Sequence, residues 1–201
     1  EIFKDRSDIF SINGYHYPIK LPKFYKSDTY ISQAFNAWGF GIWKNKWEEI
    51  DWSIDNLKLF LSKKENTKKL NNKRYVFSLK KIVSSKNILG DIFIGYHLQK
   101  NNMYCVFPVI SKVKNFGLDG SGVHGSKSNY LSAKYLNQKI SDGSSSCFFD
   151  VNILPDPVVI KRINKYFRPS FFKILSNNRH LLNRAFIIEQ IKKWFTFNNY
   201  E

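Results

Sequence analysis

Cysteine and methionine are scarce in this chain of 201 residues, and it contains no long apolar run. Its two cysteines, Cys105 and Cys147, are too few for a disulfide scaffold or a zinc cluster, and they are compatible with a reducing compartment. The absence of any run of about 18 apolar residues argues against a membrane-spanning helix in this sequence. The only methionine is Met103 and the first residue is Glu1, so we expect a removed leader or a missing N-terminal part of a longer protein.

Acidic residues are also few: 16 Asp and Glu stand against 32 Lys and Arg, which gives a net charge of +16. One explanation is a solvated, lysine-rich surface. The others are binding to anionic lipid, to a phosphate-bearing substrate or to nucleic acid. The hydrophobic fraction of 43%, with 17% aromatic residues, is sufficient for a packed core and excludes wholesale disorder.

Several motifs of nucleotide and hydrolytic chemistry are missing. The sequence has no G-x-x-x-x-G-K-[ST] phosphate loop, no G-x-G-x-x-G after a strand and no G-x-S-x-G elbow. No two histidines stand at metal-ligand spacing, and there is no D-x-D or E-D-D acidic triplet. These absences argue against a self-sufficient kinase or hydrolase.

The hydrophobic pattern predicts an α/β fold. Three apolar segments are predicted strands, residues 9–13, 30–35 and 103–110. Trp43, Trp47 and Ile50 recur at helical spacing, which predicts a helix that buries this face and exposes the intervening lysines and glutamates. Residues 51–60 are predicted to form another short helix. Residues 62–74 are rich in lysine and asparagine and are predicted to be an exposed loop or helix end.

A cluster of tryptophans and glycines, NAWGFGIWKNKWEEIDW, occupies residues 36–52. Two glycines between tryptophans can shape an aromatic-walled groove that stacks on sugar rings or bases. The spacing of Trp43 and Trp47 favours a core position for both. Trp38 lies in a turn, where packing explains it less well, and it is either a packing residue or a site residue.

Two further features carry candidate chemistry. Asp91 begins residues 89–98, which we interpret as a helix although alternation fits almost as well, and its carboxylate is either a helix cap or a general base facing a cleft. The loop NFGLDGSGVHG, residues 115–125, combines a glycine-rich backbone with His124. Exposed N–H groups and an imidazole suit a phosphate or a metal-bound diphosphate, although a loop histidine can also be an ordinary surface residue.

The C-terminal region is basic and amphipathic. Nine Lys and Arg stand between residues 161 and 193 against one acid, Glu189, and they alternate with aromatic and aliphatic residues. This composition is typical of a segment on an anionic membrane surface, while helices packed on the domain and nucleic-acid binding are the alternatives. We therefore predict a domain at residues 1–140, a polar linker at 141–156 and basic amphipathic helices at 157–201.

Taken in order, these motifs resemble those of bacterial GT-A-fold glycosyltransferases of surface-polysaccharide clusters, which are similar in turn to N-acetylglucosaminyltransferase I. The resemblance covers about residues 5–126 and is carried by W-G-x-x-x-W-K-x-x-W at 38–47 and N-x-G-x-D-G-S-G-x-H at 115–124. In such enzymes the nucleotide-binding half and its acidic metal triplet precede the strand that matches residues 9–13. The resemblance implies that this chain is the C-terminal, acceptor-side half of a GT-A fold with a mixed sheet, followed by a basic amphipathic helical tail.

The resemblance also implies an activity, the inverting transfer of a sugar from a nucleotide-sugar to a lipid-linked or surface saccharide. Asp91 matches the aspartate of a W-D motif that acts as general base, and Gly90 stands where the family has the tryptophan. Trp38 and Gly39 would line the pocket around the transferred sugar. The residues that would close over the donor diphosphate or its metal are Gly120, Ser121, Gly122 and His124.

The metal that accompanies the nucleotide-sugar would be Mn²⁺ or Mg²⁺ in the full-length enzyme, with His124 as a candidate ligand. We expect the chain by itself to be inactive. The full-length enzyme is expected in the cytoplasm, bound peripherally to the inner face of the cell membrane through residues 157–201. The alternative is a non-catalytic basic binding module for an anionic membrane or nucleic acid.

Overall fold

The structure, a computed structural model, describes residues 1–70, 73–119, 138–143, 147–167 and 188. The chain forms two compact units, of which the first comprises Glu1–Lys114 with Gln138–Asn164, and the second comprises Asn115–Asn137 with Lys165–Glu201. The first unit contains most of the described residues. Most of the basic tail, and the loop residues after Asp119, lie outside them.

A four-stranded mixed sheet forms the centre of the first unit, with the strand order β2-β4-β1-β3. Strand β1 (Ile9–Asn13) runs parallel to β4 (Tyr104–Pro108). Strand β2 (Thr29–Ser32) pairs antiparallel with β4, and β3 (Phe40–Ile42) pairs antiparallel with β1. The predicted α/β class and the predicted strands at β1 and β4 are therefore confirmed.

Strand β1 is central because apolar side chains cover both of its faces. Ile9 packs in a cluster with Phe3, Ile31, Val106 and Ile153. The fully buried Phe10 ring lies 5.5 Å from the imidazole of His97, which belongs to the helix preceding β4. A strand that is buried on both faces has apolar residues at neighbouring positions, as β1 does at Ile9 and Phe10. This pattern predicted β1 from the sequence.

Six α-helices lie in the described ranges: α1 (Lys44–Glu48), α2 (Ile54–Ser62), α3 (Lys64–Lys69), α4 (Lys73–Ser85), α5 (Gly90–Lys100) and α6 (Pro157–Tyr166). Helix α2 begins after Ser53, whose hydroxyl accepts a hydrogen bond from the Asn56 N–H, as an N-cap does. Helix α5 confirms the helical interpretation of residues 89–98. Residues 62–74 were predicted to be an exposed loop or helix end. They contain the end of α2, all of α3 and the start of α4, so the loop alternative is wrong, whereas residues 62–65, 68 and 69 are exposed as predicted.

One apolar residue at the end of the lysine-rich stretch reaches the core. Leu70, which follows α3, is buried together with Leu57 of α2 and Leu79 of α4. The same cluster includes Phe93 of α5, so α2, α4 and α5 share one apolar core. The surrounding lysines of α3 are exposed, which is why composition alone suggested a loop.

Helix α1 differs from its predicted orientation. Trp43 packs against the cluster on β1 and Ile50 is buried, as predicted, but Trp47 is 41% exposed. Lys46, expected on the outer face, is buried instead, and its ammonium donates to the Ser7 carbonyl at 3.0 Å. The helix has only five residues, so the helical period does not extend as far as the prediction assumed.

Part of the predicted linker packs on the sheet unit. The ring of Phe149 makes an edge-to-face contact with Phe3, with centroids 6.1 Å apart, and Ile153 is buried. The guanidinium of Arg6 donates to the carbonyls of Val151 and Ile153. These contacts place residues 149–153 in the first unit.

Helix α5 presents a buried histidine to the sheet. His97 is almost fully buried, and burial lowers its pKa below the usual range. Lys46 and Lys100 act in the same direction, whereas Glu49 and Asp51 oppose it. The imidazole Nδ1 lies 3.2 Å from the side-chain amide of Asn101.

We predict that the fold loses stability as the pH falls below about 6.5, the ordinary pKa of histidine. The unfolded chain takes up a proton there that the buried His97 imidazole resists, so protonation favours unfolding. His97→Gln cannot titrate and should lose less stability between neutral pH and mild acid than the wild type. Urea denaturation at the two pH values measures this, and equal losses in both proteins would contradict the assignment.

Candidate functional site

A cleft of about 440 Å³ opens where β1 and β4 end. Its walls come from the end of β1, the start of β3, the end of β4 with the residues after it, and the segment around Cys147. They are Ile12, Asn13, Gly14, Gly39, Phe40, Gly41, Val106, Pro108, Lys112, Val113, Cys147 and Phe149. Ligands of α/β sheets bind outside the carboxyl ends of the parallel strands, and this cleft occupies that position.

Three backbone segments meet at one side of the cleft. The N–H of Gly14 donates to the Gly39 carbonyl at 2.7 Å, and the N–H of Lys112 donates to the Gly14 carbonyl at 2.6 Å. Gly39 has a φ of +65°, and a Cβ there would lie 2.6 Å from Cγ1 of Val113. Gly39, predicted as a site residue, therefore lines the cleft, and both its backbone angle and its neighbours require glycine.

Gly39→Ala is expected to lower the free energy of unfolding by roughly 2–4 kcal/mol, because a left-handed backbone is unfavourable for alanine and the new methyl group overlaps Val113. Gly41→Ala is the matched control, since a Cβ at Gly41 meets nothing within 4 Å. It should change stability by about 0.5 kcal/mol or less. Chemical denaturation of both variants measures the difference, and similar values for the two would contradict this explanation.

Trp38 lies next to Gly39 but packs away from the cleft lining. Its ring is half-buried and makes an edge-to-face contact with Tyr15 at 4.9 Å, and Tyr15 in turn contacts Tyr17 at 5.3 Å. Its backbone N–H donates to the side-chain oxygen of Asn36 at 2.7 Å. These contacts supply the packing role that the sequence left open, and the donor-binding role of Trp38 stays a prediction.

The cleft is mostly apolar, with one buried amide on its lining. Asn13 is 3% exposed, and its amide nitrogen donates to the Ser11 hydroxyl at 3.2 Å. Its carbonyl oxygen has no hydrogen-bond partner among the described residues. Burial raises the pKa of the neighbouring Cys105 to about 12, so this thiol stays protonated and is a poor nucleophile. Such a lining suits the apolar face of a ring better than a charged group.

Sequence analysis missed Asn13. The dipeptide Asn13-Gly14 was identified only as the end of a strand and a turn. Asn13 is among the residues that line the cleft because β1 is central and because β4, about ninety residues later, pairs beside it. No local sequence signal marks that pairing.

Asp91 stands in the first turn of α5 as its second residue, with Leu89 at the N-cap position. The helix-cap interpretation of Asp91 is therefore wrong. The carboxylate is exposed and accepts a hydrogen bond from the adjacent N–H of Ile92 at 2.9 Å. A Cβ at Gly90 would meet nothing within 4 Å, so the position where the resembling family carries tryptophan is open.

The direction of α5 relates Asp91 to the cleft. A short turn joins α5 to β4, so the helix runs back along the sheet, and His97 near its end contacts Phe10 near the start of β1. Asp91 lies six residues earlier, about 9 Å along a helix axis, toward the end of the sheet where β1 and β4 finish. Gly39 lines the cleft, whereas none of the lining residues belongs to α5.

The remaining predicted site residues, Gly120, Ser121, Gly122 and His124, lie outside the described residues. The described start of their loop is a short 3₁₀-helix at Phe116–Asp119.

Where side chains are described, no group of three His, Cys, Asp or Glu residues could hold a metal ion. No helix within the described ranges has both the length and the apolar character needed to cross a membrane. Comparisons with protein-family models, curated proteins and solved structures find no match for the chain.

Proposed function

We propose that this chain is the acceptor-side part of an inverting glycosyltransferase with a GT-A fold. Its substrates would be a nucleotide-sugar donor and a lipid-linked or surface saccharide acceptor. The observation that carries the proposal is that Gly39, in the tryptophan–glycine motif, lines a cleft where the parallel strands β1 and β4 end. Asp91 is exposed in the first turn of α5, the helix that precedes β4. In the family that the motifs resemble, these positions line the sugar pocket and supply the general base.

The proposed reaction needs one base on this chain. The carboxylate of Asp91 would accept the proton of the acceptor hydroxyl while that oxygen attacks the anomeric carbon. The bond to the nucleoside diphosphate breaks on the opposite face, so the configuration inverts. Because Asp91 is exposed in the first turn of α5, an acceptor can approach it from solvent.

The cleft would contact the transferred sugar. Phe40 and Val113 line the cleft with accessible side chains and offer apolar surface to the face of a sugar ring. The described residues supply no donor set for the divalent ion that accompanies nucleotide-sugars in the family. No step is therefore assigned to that metal, and the diphosphate contacts of residues 120–124 stay predictions.

The role of Asp91 is tested by Asp91→Asn in the transferase completed by its nucleotide-binding half. Turnover should fall by about 10²–10⁴-fold while donor affinity is unchanged, because only proton transfer is removed. Asp55→Asn is the matched control, since Asp55 is the second residue of α2 and equally exposed. Retained turnover in Asp91→Asn would contradict the role. The absence of transfer, together with steeply salt-dependent binding to single-stranded nucleic acid, would favour the non-catalytic alternative.

The role of the cleft is tested by Gly41→Phe, which places a ring in the cleft from a position where a Cβ meets nothing within 4 Å. Affinity for the nucleotide-sugar should fall about tenfold, or ~1.4 kcal/mol. Affinity for the nucleoside diphosphate alone should stay the same, because only the sugar would occupy the cleft. Calorimetric titration of Gly41→Phe and of Gly41→Ala measures both affinities. Equal losses for the two ligands would contradict a sugar-binding cleft.

A further inference from the structure

Two segments far apart in sequence lie side by side on the surface of the first unit. The guanidinium of Arg162 in α6 donates to the Lys20 carbonyl, and the Phe148 N–H donates to the Asp28 carboxylate at 3.0 Å. Tyr25 lies between Lys20 and Asp28 in the sequence, and its pKa is raised to about 12 by burial and, to a smaller extent, by the charge of Asp156. The Tyr25 hydroxyl and the Asp156 carboxylate are therefore near each other. Residues 20–28 and 148–162 therefore form one continuous surface.

Large apolar side chains are exposed along this surface. Phe24 is 81% exposed, Leu154 76% and Phe148 71%, which are three of the four most exposed large apolar residues in the described part of the chain. Val158, at the start of α6, adds to them, whereas Val159 and Ile163 of the same helix are buried. Clustered apolar exposure of this kind marks an interaction surface, whereas scattered single residues do not.

Basic side chains stand among these apolar residues: Lys20, Lys23, Lys26, Lys161 and Arg162. The ammonium of Lys23 lies 5.5 Å from the centre of the Phe24 ring. Against these five cations stand three carboxylates, Asp28, Asp150 and Asp156, each of which accepts hydrogen bonds from backbone N–H groups of the surface itself. Asp28 accepts from Phe148, and Asp156 accepts from Val158 and Val159 at the start of α6. The surface therefore combines apolar side chains with an excess of positive charge.

We propose that this apolar–basic face docks the chain on an anionic membrane surface. Lysine fits this role because its long side chain lets the ammonium reach a lipid phosphate while apolar neighbours enter the acyl boundary. An anionic membrane accounts for the exposed aliphatic side chains of Leu154 and Val158, because these have no ring that could stack on the bases of a nucleic acid. The proposal goes beyond the transfer reaction and does not depend on it. It adds residues 20–28 and 148–156 to the membrane contact predicted for residues 157–201.

The apolar part of the face is tested by sedimentation of the full chain with two kinds of vesicle. One consists of phosphatidylcholine alone, and in the other about one lipid in three is phosphatidylglycerol. Binding should require the anionic lipid and should weaken as salt is raised. Phe24→Ser with Leu154→Ser should weaken it about 100-fold. Leu59→Ser with Phe77→Ser, on α2 and α4, is the matched control, because these residues are 63% and 54% exposed. That control should bind like the wild type.

The basic part is tested separately. Lys23→Gln, Lys26→Gln and Lys161→Gln together should weaken vesicle binding about 100-fold, since each cation near an anionic surface contributes about fivefold. Lys58→Gln, Lys63→Gln and Lys68→Gln remove the same charge from other exposed positions and should have a much smaller effect. Thermal unfolding by circular dichroism checks that all variants fold.

Four outcomes would overturn the proposal. The first is the absence of vesicle binding, and the second is equal binding to neutral and anionic vesicles. The third is that a set of test substitutions weakens vesicle binding no more than its control set. The fourth is that a single-stranded oligonucleotide displaces the protein from vesicles while the apolar substitutions leave vesicle binding unchanged. The last would assign the face to nucleic acid.

Discussion

The close approach of three backbone segments at Gly14 is the constraint on which the cleft and the sheet edge beside it depend. Gly14 directly follows β1, donates its N–H to the Gly39 carbonyl in the turn before β3, and accepts the Lys112 N–H from the segment after β4. A Cβ at Gly39 would overlap Val113 at 2.6 Å, and a Cβ at Gly14 would lie 3.1 Å from the same side chain, which is closer than an ordinary contact. Gly14, Gly39, Lys112 and Val113 all line the cleft, so the close approach of these backbones fixes one of its walls.

A second close approach positions the proposed base. Gly95 of α5 faces Tyr75 of α4, and a Cβ there would lie 1.6 Å from the tyrosine hydroxyl oxygen. That hydroxyl also donates to the backbone carbonyl of Asp91, at 3.4 Å. The crossing of α4 and α5 thus fixes the first turn of α5 from its flank, which leaves the Asp91 carboxylate on the exposed side.

Sequence patterns predicted the elements whose burial is simple. Strands β1 and β4 are buried on both faces, and α5 is buried over six consecutive residues, Phe93–Leu98. The predicted exposure of Lys46 was wrong because its ammonium reaches the Ser7 carbonyl and the side chain is buried. In residues 62–74 the lysine-rich composition concealed helix α3, although Leu70 directly after it is buried. Gly39 and Asp91 were identifiable because they lie in motifs. The contribution of Asn13 to the cleft depends on the long-range pairing of β1 with β4, for which the sequence has no local mark.

The strand order also dictates when the sheet can form. Strand β4 is the last to be synthesised, yet it lies between β2 and β1. Until residue 108 has emerged, β1 has a partner on one edge alone and β2 has none in the sheet. Ribosomes add about 5–20 residues per second, so these apolar edges stay open for seconds during synthesis. Insertion of β4 then completes its pairings with β1 and β2 in a single late step. A nascent chain arrested before this step would expose the unpaired edges of β1 and β2, which can pair with strands of other chains.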